Sequence, residues 1–227
     1  MPAEISVIIP TLNAESELPG CLEALMEGMH AGLIHELIIT DGGSEDATLT
    51  IADEVGARIV QGSASRGGQL RRGSAAARSP WLLVLHADTQ LDPGWSKIVG
   101  QHIARSGAGP ACFRLRFRAT GIGAVWVAGW ANLRTRLFGL PYGDQGLLVT
   151  RQAYEAAGGY PDQPLMEDVA LVRKLSRVEL LQGTARTGAE RYQVSGWATR
   201  GARNLWTLLR YFCGTDPQSL ANRYRKR

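Results

Sequence analysis

The chain has 227 residues, enough to bury a substantial core, and this length favours one α/β domain. The 25 Lys and Arg residues against 21 Asp and Glu give a net charge of +4, which is too small to indicate nucleic-acid binding. The three cysteines are widely spaced and indicate neither a disulfide framework nor a zinc site, so we expect a cytoplasmic protein.

The amino terminus runs from Met1 directly into the apolar residues 5–9, without the basic region and long apolar core of a secretion signal. The strongest later apolar stretch, residues 122–133, is shorter than the roughly 20 residues that span a bilayer. We therefore expect a soluble or peripheral protein.

The first half alternates short apolar runs with longer amphipathic ones, which is typical of βαβ units and a mostly parallel sheet. We predict strands at residues 4–10, 35–40, 58–61 and 81–85, with a helix after each of the first three. In such a sheet the carboxyl ends of the strands meet at one edge, where ligands bind. The polar residues that follow these strands are Thr11, Asn13, Asp41, Ser44, Arg66, His86 and Asp88.

In the second half, a helix is predicted to start at Asp92-Pro93, and strands at residues 112–118 and 147–150. Two apolar stripes at helical spacing also occur. The first comprises Trp126, Trp130, Leu133 and Leu137; the second comprises Leu205, Leu208, Leu209 and Phe212, with Arg203, Arg210 and the basic tail Arg223, Arg225, Lys226 and Arg227 nearby. We interpret both stripes as core packing. The alternative is a peripheral membrane or partner-binding surface.

Asp41 is followed by two glycines, which would let a ligand approach the backbone. Its carboxylate could accept hydrogen bonds from a nucleotide, or it could form an Asx-turn that caps the next helix, and the sequence leaves both open. Arg66 lies in the glycine-rich loop of residues 62–68 and could pair with a phosphate or stack on a base, although solvated arginines are commoner.

Asp88 is a candidate ligand for Mg²⁺ or Mn²⁺, because these ions commonly bind one or two carboxylates plus substrate phosphate. Its alternative role is to cap the following helix. His86 is a secondary metal candidate, since a lone histidine is more often a packing residue. Glu167 and Asp168 open a helical pattern, where the macrodipole favours ionised carboxylates. This position suits helix capping and a general base alike.

Four segments in this order, residues 7–13, 39–44, 83–89 and 166–168, resemble the motifs of inverting glycosyltransferase family 2 enzymes with a GT-A fold. The similarity covers roughly residues 4–175. Within the family, residues 85–89 and 143–146 look most like the small bacterial arsenosugar-biosynthesis glycosyltransferases. The resemblance implies an α/β fold with a Rossmann-like, mostly parallel sheet flanked by helices and a C-terminal helical extension.

The resemblance also implies metal-dependent transfer of one sugar from a nucleoside-diphosphate sugar to a small-molecule or lipid acceptor. Residues about 1–92 would bind the nucleotide and about 93–195 the acceptor, and about 196–227 would form an amphipathic helix and basic tail. The implied donor-binding and cation-binding residues are Thr11, Asn13, Glu15, Asp41, Arg66, Asp88, Asp144 and Gln145, with His86 as a second metal candidate. The implied catalytic residues are Asp168, as the base, and Glu167.

Two departures from the family pattern matter. His86 stands where the usual metal motif has an acid, so we expect weaker or differently shaped metal binding. The Gln-x-x-Arg-Trp motif of processive members does not follow the acid pair, which favours a single transfer. The rival hypotheses are a nucleotide-sugar-binding protein without transfer activity and a sugar-phosphate nucleotidyltransferase. The latter should carry a glycine-rich, arginine-bearing loop where residues 11–14 stand.

Overall fold

The computed structural model describes residues 4–225, and within them one eight-stranded sheet carries helices on both faces. The strands are β1 (Ile5–Thr11), β2 (Ile34–Asp41), β3 (Arg58–Gln61), β4 (Trp81–Val84), β5 (Gln90–Leu91), β6 (Ala111–Phe117), β7 (Leu147–Thr150) and β8 (Glu179–Thr187). The helices are α1 (Leu18–His30), α2 (Thr48–Glu54), α3 (Arg66–Ala76), α4 (Trp95–Ile103), α5 (Ile122–Phe138), α6 (Arg151–Ala156), α7 (Glu167–Val172), α8 (Glu190–Ser195), α9 (Trp197–Phe212) and α10 (Pro217–Arg225). Met1 and the last two residues of the predicted basic tail, Lys226 and Arg227, lie outside the described residues.

The strands lie side by side in the order β3-β2-β1-β4-β7-β6-β8-β5. Strands β1 to β4 pair in parallel with one another, and Thr11, Asp41 and Gln61 are level across three of them. Their carboxyl ends therefore lie at one edge of the sheet, as predicted. Strand β7 runs antiparallel to β4 and β6, β5 runs antiparallel to β8, and the whole is a mostly parallel α/β sheet.

Strand β1 is buried on both faces, and for that reason its sequence is apolar at Ile5 and from Val7 to Pro10 rather than alternating; the buried Ser6 hydroxyl donates to the Glu36 carboxylate. Val7 and Ile9 pack into a core with α1 and α4, whereas Ile8 packs with α3 on the opposite face. Helix α3 approaches the sheet closely at Gly73, where an added methyl group would lie 2.6 Å from Ile8 and 3.1 Å from Thr40. The two cores fix the loops that follow the strands.

The strands predicted at residues 58–61 and 147–150 are confirmed, and the other predicted strands differ by one residue at one or both ends. Strand β8 is not among the predicted strands. Its inward positions include Gly183 and Ala185, which are too small to give a clear apolar alternation.

Helix α4 begins at Trp95, so the predicted start at Asp92-Pro93 is wrong. Gly94 takes a left-handed conformation with φ of 91°, which ends the preceding segment. The Glu27 carboxylate then accepts hydrogen bonds from the Gly94 N–H at 2.7 Å and the Ser96 N–H at 2.9 Å, and it caps the helix.

Helix α3 begins at Arg66, inside the segment predicted to be a loop. The reason is Ser65, whose Oγ accepts a hydrogen bond from the Gly68 N–H at 3.4 Å and serves as the N-cap. Arg66 is therefore held on the first turn of a helix rather than on a flexible loop.

The two predicted stripes are helical, but the interpretation as core packing is wrong for most of their residues. On α5, Trp126, Trp130, Leu133 and Leu137 are 45–68% exposed, and on α9 Leu205, Leu209 and Phe212 are 40–47% exposed, whereas Leu208 is buried. Periodicity shows that one side of a helix is apolar, but not what covers that side. None of the helices in residues 4–225 combines the length and the hydropathy needed to cross a bilayer.

Candidate active site

Thr11 and Asp41 lie side by side where β1 and β2 end. The Asp41 carboxylate accepts hydrogen bonds from Thr11 Oγ1 at 3.0 Å, from the Gly43 and Ser44 N–H groups at 2.7 and 2.8 Å, and from Ser44 Oγ at 2.5 Å. Burial favours the protonated form, but these bonds lower the pKa of Asp41 below its ordinary value. Asp41 thus forms the Asx-turn, and its contact with a nucleotide stays a prediction.

Asn13 and Glu15 tie the loop after β1 to the loop after β2. Asn13 has a φ of 51°, and its Oδ1 accepts a hydrogen bond from the Glu45 N–H at 2.9 Å. The Glu15 carboxylate accepts one from the Ala47 N–H at 2.9 Å. Non-glycine residues in such conformations cluster at ligand-binding sites, which fits the predicted role of this loop.

Arg66 is the cation toward which the acids of the site converge. Its Nε lies 3.7 Å from Glu167 Oε1, and its side chain is 43% exposed, so it can also reach a ligand. Partial burial favours the neutral form, but the charges of Glu167, Asp144, Asp168 and Asp88 together raise the pKa of Arg66 above its ordinary value. The structure therefore places Glu167 beside this guanidinium group, whose charge is also favoured by three further acids.

Glu167 is the more buried member of the acid pair. It follows Met166, which has a φ of 63°, and its Oε2 atom has no hydrogen-bond partner among the described residues. Burial, followed by the charge of Asp168, raises the pKa of Glu167 to about 7, and Arg66 offsets part of this effect. This carboxyl group therefore titrates near neutral pH.

Asp168 is held by two backbone donors. Its Oδ2 accepts a hydrogen bond from the Gly143 N–H at 2.7 Å, and its Oδ1 accepts one from the Val169 N–H at 2.7 Å. Asp168 and Glu167 line a cavity of about 10 Å³, which has room for about one water molecule. Tyr160 also lines it, and burial, followed by the charge of Asp168, raises the pKa of this phenol well above its ordinary value.

His86 contacts the segment that follows α5. Its Nδ1 lies 3.0 Å from Asp144 Oδ1, and its Nε2 faces Gly143, where an added methyl group would lie 2.5 Å away. Burial favours the protonated form of Asp144, but the contact with His86 and the positive charges around it lower the pKa of Asp144 below its ordinary value. With Nδ1 engaged by Asp144, Nε2 is the nitrogen of His86 that could bind a metal, a role that stays a prediction.

Asp88 lies beyond β4, and its Oδ2 accepts a hydrogen bond from Thr187 Oγ1 at 3.2 Å. Glu190 reaches the same place, since a methyl group on Gly188 would contact both carboxylates. No cluster of three or more His, Cys, Asp and Glu side chains within residues 4–225 could hold a metal by itself. Asp88, alone or with Glu190, nevertheless fits Mg²⁺ or Mn²⁺, which take their remaining oxygen ligands from substrate phosphate and water.

Thr187 and Glu190 are absent from the predicted site residues. They belong to β8 and to the helix after it, and without that strand the sequence gives no signal that would bring them to Asp88.

The side chain of Gln145, for which donor binding stays a prediction, makes its hydrogen bonds within the fold. It is fully buried, its Oε1 accepts a hydrogen bond from Thr135 Oγ1 at 2.9 Å, and its Nε2 donates to the Phe113 carbonyl at 3.1 Å. The amide is therefore committed to joining α5 to β6. Its effect on the site is indirect, because it anchors the short turn that presents Asp144 to His86.

Comparison with known proteins first concerns sequence. The family model for Glycosyl transferase family 2 matches residues 6–150. A PGL/p-HBAD biosynthesis glycosyltransferase of Mycobacterium tuberculosis is 38% identical over 93 residues, which are 38% of this chain and 36% of that protein. An uncharacterized glycosyltransferase of the same species is 33% identical over 91 residues, 40% of this chain and 39% of the relative. The matches thus span little more than a third of these curated relatives.

Solved structures give the same picture of the fold. S. aureus TarS 1-349 superposes with a TM-score of 0.64 at 15% identity, over 85% of this chain and 63% of that chain. Glucosyl-3-phosphoglycerate synthase from M. tuberculosis, in complex with Mn²⁺, uridine diphosphate and phosphoglyceric acid, superposes with a TM-score of 0.55 at 21% identity, over 82% of this chain and 69% of the other. At these identities the similarity shows the fold alone, and it matches the GT-A architecture.

Proposed function

Because the chain belongs to glycosyltransferase family 2, we propose that it is a metal-dependent, inverting enzyme that moves one sugar from a nucleoside-diphosphate sugar to an acceptor hydroxyl. One observation carries the proposal: Arg66, beyond the carboxyl end of β3, lies 3.7 Å from Glu167 of the acid pair, and the charges of Glu167, Asp144, Asp168 and Asp88 raise its pKa. Transfer from a diphosphate needs positive charge beside the leaving group and a base beside the acceptor.

In this proposal residues about 1–92 bind the donor and about 93–195 the acceptor. Thr11, Asn13 and Glu15 belong to the two tied loops at the strand ends and would contact the nucleoside. Arg66 would pair with the diphosphate, because its exposed guanidinium group can donate to phosphate oxygens. Asp88 would hold the divalent cation, with Glu190 as a second carboxylate. A bound cation would neutralise negative charge on the departing diphosphate.

Asp168 is the proposed base. The acceptor oxygen forms a bond to the anomeric carbon while its proton passes to the Asp168 carboxylate, and the bond from that carbon to the diphosphate oxygen breaks with its electron pair. Attack from the side opposite the leaving group inverts the configuration. The Gly143 and Val169 N–H groups orient Asp168, and Glu167 sets the charge beside it by titrating near neutral pH.

The narrower resemblance to arsenosugar-biosynthesis glycosyltransferases remains a proposal about the acceptor. The curated relatives carry other names, and the chain spans only a part of them. For the donor, the neighbouring structures guide the choice of probe. One TarS structure is a complex with UDP-GlcNAc, and the glucosyl-3-phosphoglycerate synthase structure contains uridine diphosphate. Uridine diphosphate sugars are therefore the first donors to test.

A nucleotide-sugar-binding protein without transfer activity is the second candidate. His86 favours it, because a histidine stands where the family's metal motif has an acid, and a neutral imidazole does not supply the negative charge that attracts the cation. The deciding experiment incubates the protein with UDP-sugars, with and without Mn²⁺, and measures UDP release and thermal stability. Release that depends on Mn²⁺ supports the enzyme. Thermal stabilisation by the donor without any release supports the binding protein.

A further inference from the structure

Helix α5 turns its apolar side outward. Its exposed residues are Ile122, Val125, Trp126, Gly129, Trp130, Leu133, Arg136, Leu137 and Phe138. The side that packs on the sheet carries the small residues Ala124, Ala128 and Ala131. A surface helix normally has the opposite arrangement, with charged residues facing water. Arg136 is the one charged residue on the exposed side of this helix.

Helix α9 repeats the pattern. Its exposed apolar residues include Leu205, Trp206, Leu209 and Phe212, whereas Leu208 points inward. The two helices run side by side in the same direction, because α5 residues Gly123 and Val127 lie against Trp197 and Gly201 of α9 in that order.

The exposed sides of the two helices face the same way. Each residue of an α-helix is rotated by about 100° about the helix axis from the one before it. Measured about each axis from the direction of the neighbouring helix, the exposed residues of α5 lie at about 100° in one rotational sense, and those of α9 lie at about 100° in the opposite sense. For two parallel helices, opposite rotations bring both exposed sides onto a single surface. We call it the α5–α9 face, and it consists of Ile122, Val125, Trp126, Trp130, Leu133, Leu137, Leu205, Trp206, Leu209 and Phe212.

The size of this face sets it apart from ordinary exposed residues. Trp126 is 68% exposed and Trp206 62% exposed. At about 200 Å² per tryptophan, these two side chains and Trp130, which is 45% exposed, together expose roughly 350 Å². The aliphatic residues add to this, and the total exceeds the few hundred Å² typical of the largest apolar patch on a monomer.

Positive charge borders the α5–α9 face. On the two helices Arg136 is exposed and Arg203 and Arg210 are partly exposed, and neither helix carries an acidic residue. The Arg173 guanidinium group lies 5.0 Å from the Phe212 ring centre. At the carboxyl end of α5, a groove of about 590 Å³ is lined by three arginines, Arg114, Arg136 and Arg177, and by one acid, Glu179.

We propose that the α5–α9 face docks on the surface of an anionic lipid bilayer. Tryptophan is enriched at the boundary between lipid tails and headgroups, and arginines at the rim of an apolar face pair with lipid phosphate. A second copy of the chain is a poorer occupant, because a symmetric contact would bring two arginine-rich rims together with few acids between them. The docking goes beyond the proposed transfer reaction and does not depend on it.

The test measures flotation of the whole protein with vesicles made of phosphatidylcholine and phosphatidylglycerol in equal amounts, or of phosphatidylcholine alone. The test variant is Trp126→Ser with Trp206→Ser. The matched control is Met26→Ser with Met29→Ser, since these α1 residues are about half exposed outside the face. Wild type and control should bind the anionic vesicles. The test variant should bind them at least about tenfold more weakly. Quenching of tryptophan fluorescence by brominated lipid in wild type gives a second readout.

Three results would overturn the proposal: no flotation of wild type, equal flotation of the tryptophan variant, or equal binding to neutral vesicles. Light scattering without vesicles could give a fourth contradicting result. If wild type is a dimer and the tryptophan variant is a monomer, the α5–α9 face binds a second copy of the chain. UDP release is measured on the same preparations. Loss of release with intact flotation would reject the proposed reaction alone.

Discussion

The sheet edge at the carboxyl ends of strands β1–β4 and the α5–α9 face differ in whether their side chains have partners within the fold. At the edge, polar groups are committed to one another: the Asp41 carboxylate accepts four hydrogen bonds, and Asp168 accepts two from the backbone. On the face, large apolar side chains such as Trp126 have no cover within the described chain. The first arrangement fixes atoms in place, as catalysis requires. The second leaves apolar side chains exposed to water, and contact with another apolar surface would bury them.

The largest expected effect tests the edge. Asp168→Asn removes the proposed base but keeps an oxygen that can accept from the Gly143 N–H, so the fold and the donor site should persist. Transfer should fall by about a thousandfold, within the range attributed to general bases. Product formation and donor affinity are measured together. Asp53→Asn, an exposed acid on α2, is the control. An Asp168→Asn enzyme that transfers at the wild-type rate would remove Asp168 from the base role.

Asp88→Asn separates metal binding from nucleotide binding at the same edge. We expect donor affinity in the presence of Mn²⁺ to fall by about tenfold to a hundredfold, because a ligand to the cation is lost. Uridine diphosphate binding without metal should stay unchanged. Calorimetric titration of Asp88→Asn and Glu190→Gln, each with and without Mn²⁺, checks both carboxylates. Equal losses with and without the cation would argue against a metal role for Asp88.

Glu167 gives the edge a measurable pH dependence. Its pKa is raised from 4.5 to about 7 in the folded protein. The protonated group therefore contributes stability that is fully present below pH 4.5 and is lost as the pH rises through 7. The loss amounts to about 3 kcal/mol at most, at 1.36 kcal/mol per pKa unit.

Glu167→Gln should remove this dependence. Urea unfolding of both proteins between pH 5 and 8 measures the difference, and the contributions of all other groups cancel in it. A difference in unfolding free energy that does not change with pH would show that burial of Glu167 does not perturb its ionisation.

Substitutions at two glycines, one beneath the sheet edge and one on α5, should give the smallest effects, and these effects should have opposite signs. Gly73→Ala should destabilise the protein by about 1–3 kcal/mol, because the new methyl group would collide with Ile8 and Thr40 beneath the edge. Gly129→Ala lies on the exposed side of α5 with nothing within 4 Å, and it should stabilise the helix by about 0.5–1 kcal/mol. Melting temperatures of the pair measure both signs. A neutral Gly73→Ala would mean that α3 can shift away from the sheet.

The sequence predicts the parts of the fold that depend on local pattern. Strands β3 and β7 lie where their apolar runs indicate, and the rule that parallel strands end together predicts that Thr11 and Asp41 lie side by side. The rest depends on contacts that no local pattern encodes. Strand β8 has the small residues Gly183 and Ala185 at buried positions, so its sequence lacks a clear apolar alternation. The burial of Gln145 follows from its hydrogen-bond partners on α5 and β6. For the two stripes the helices are predictable, whereas the side that remains uncovered is a property of the assembled chain.

Leu208 links the two regions that the predictions treat separately. It is the inward residue of α9, and it rests on Met166 and Val169, which flank the acid pair. Helix α9, which would lie against the lipid headgroups, thus also packs against the segment that carries the proposed base. Its tilt would set the height of Asp168 above the lipid phosphates. Under the proposed docking, a movement of α9 at the lipid surface would therefore reach the acid pair through Leu208.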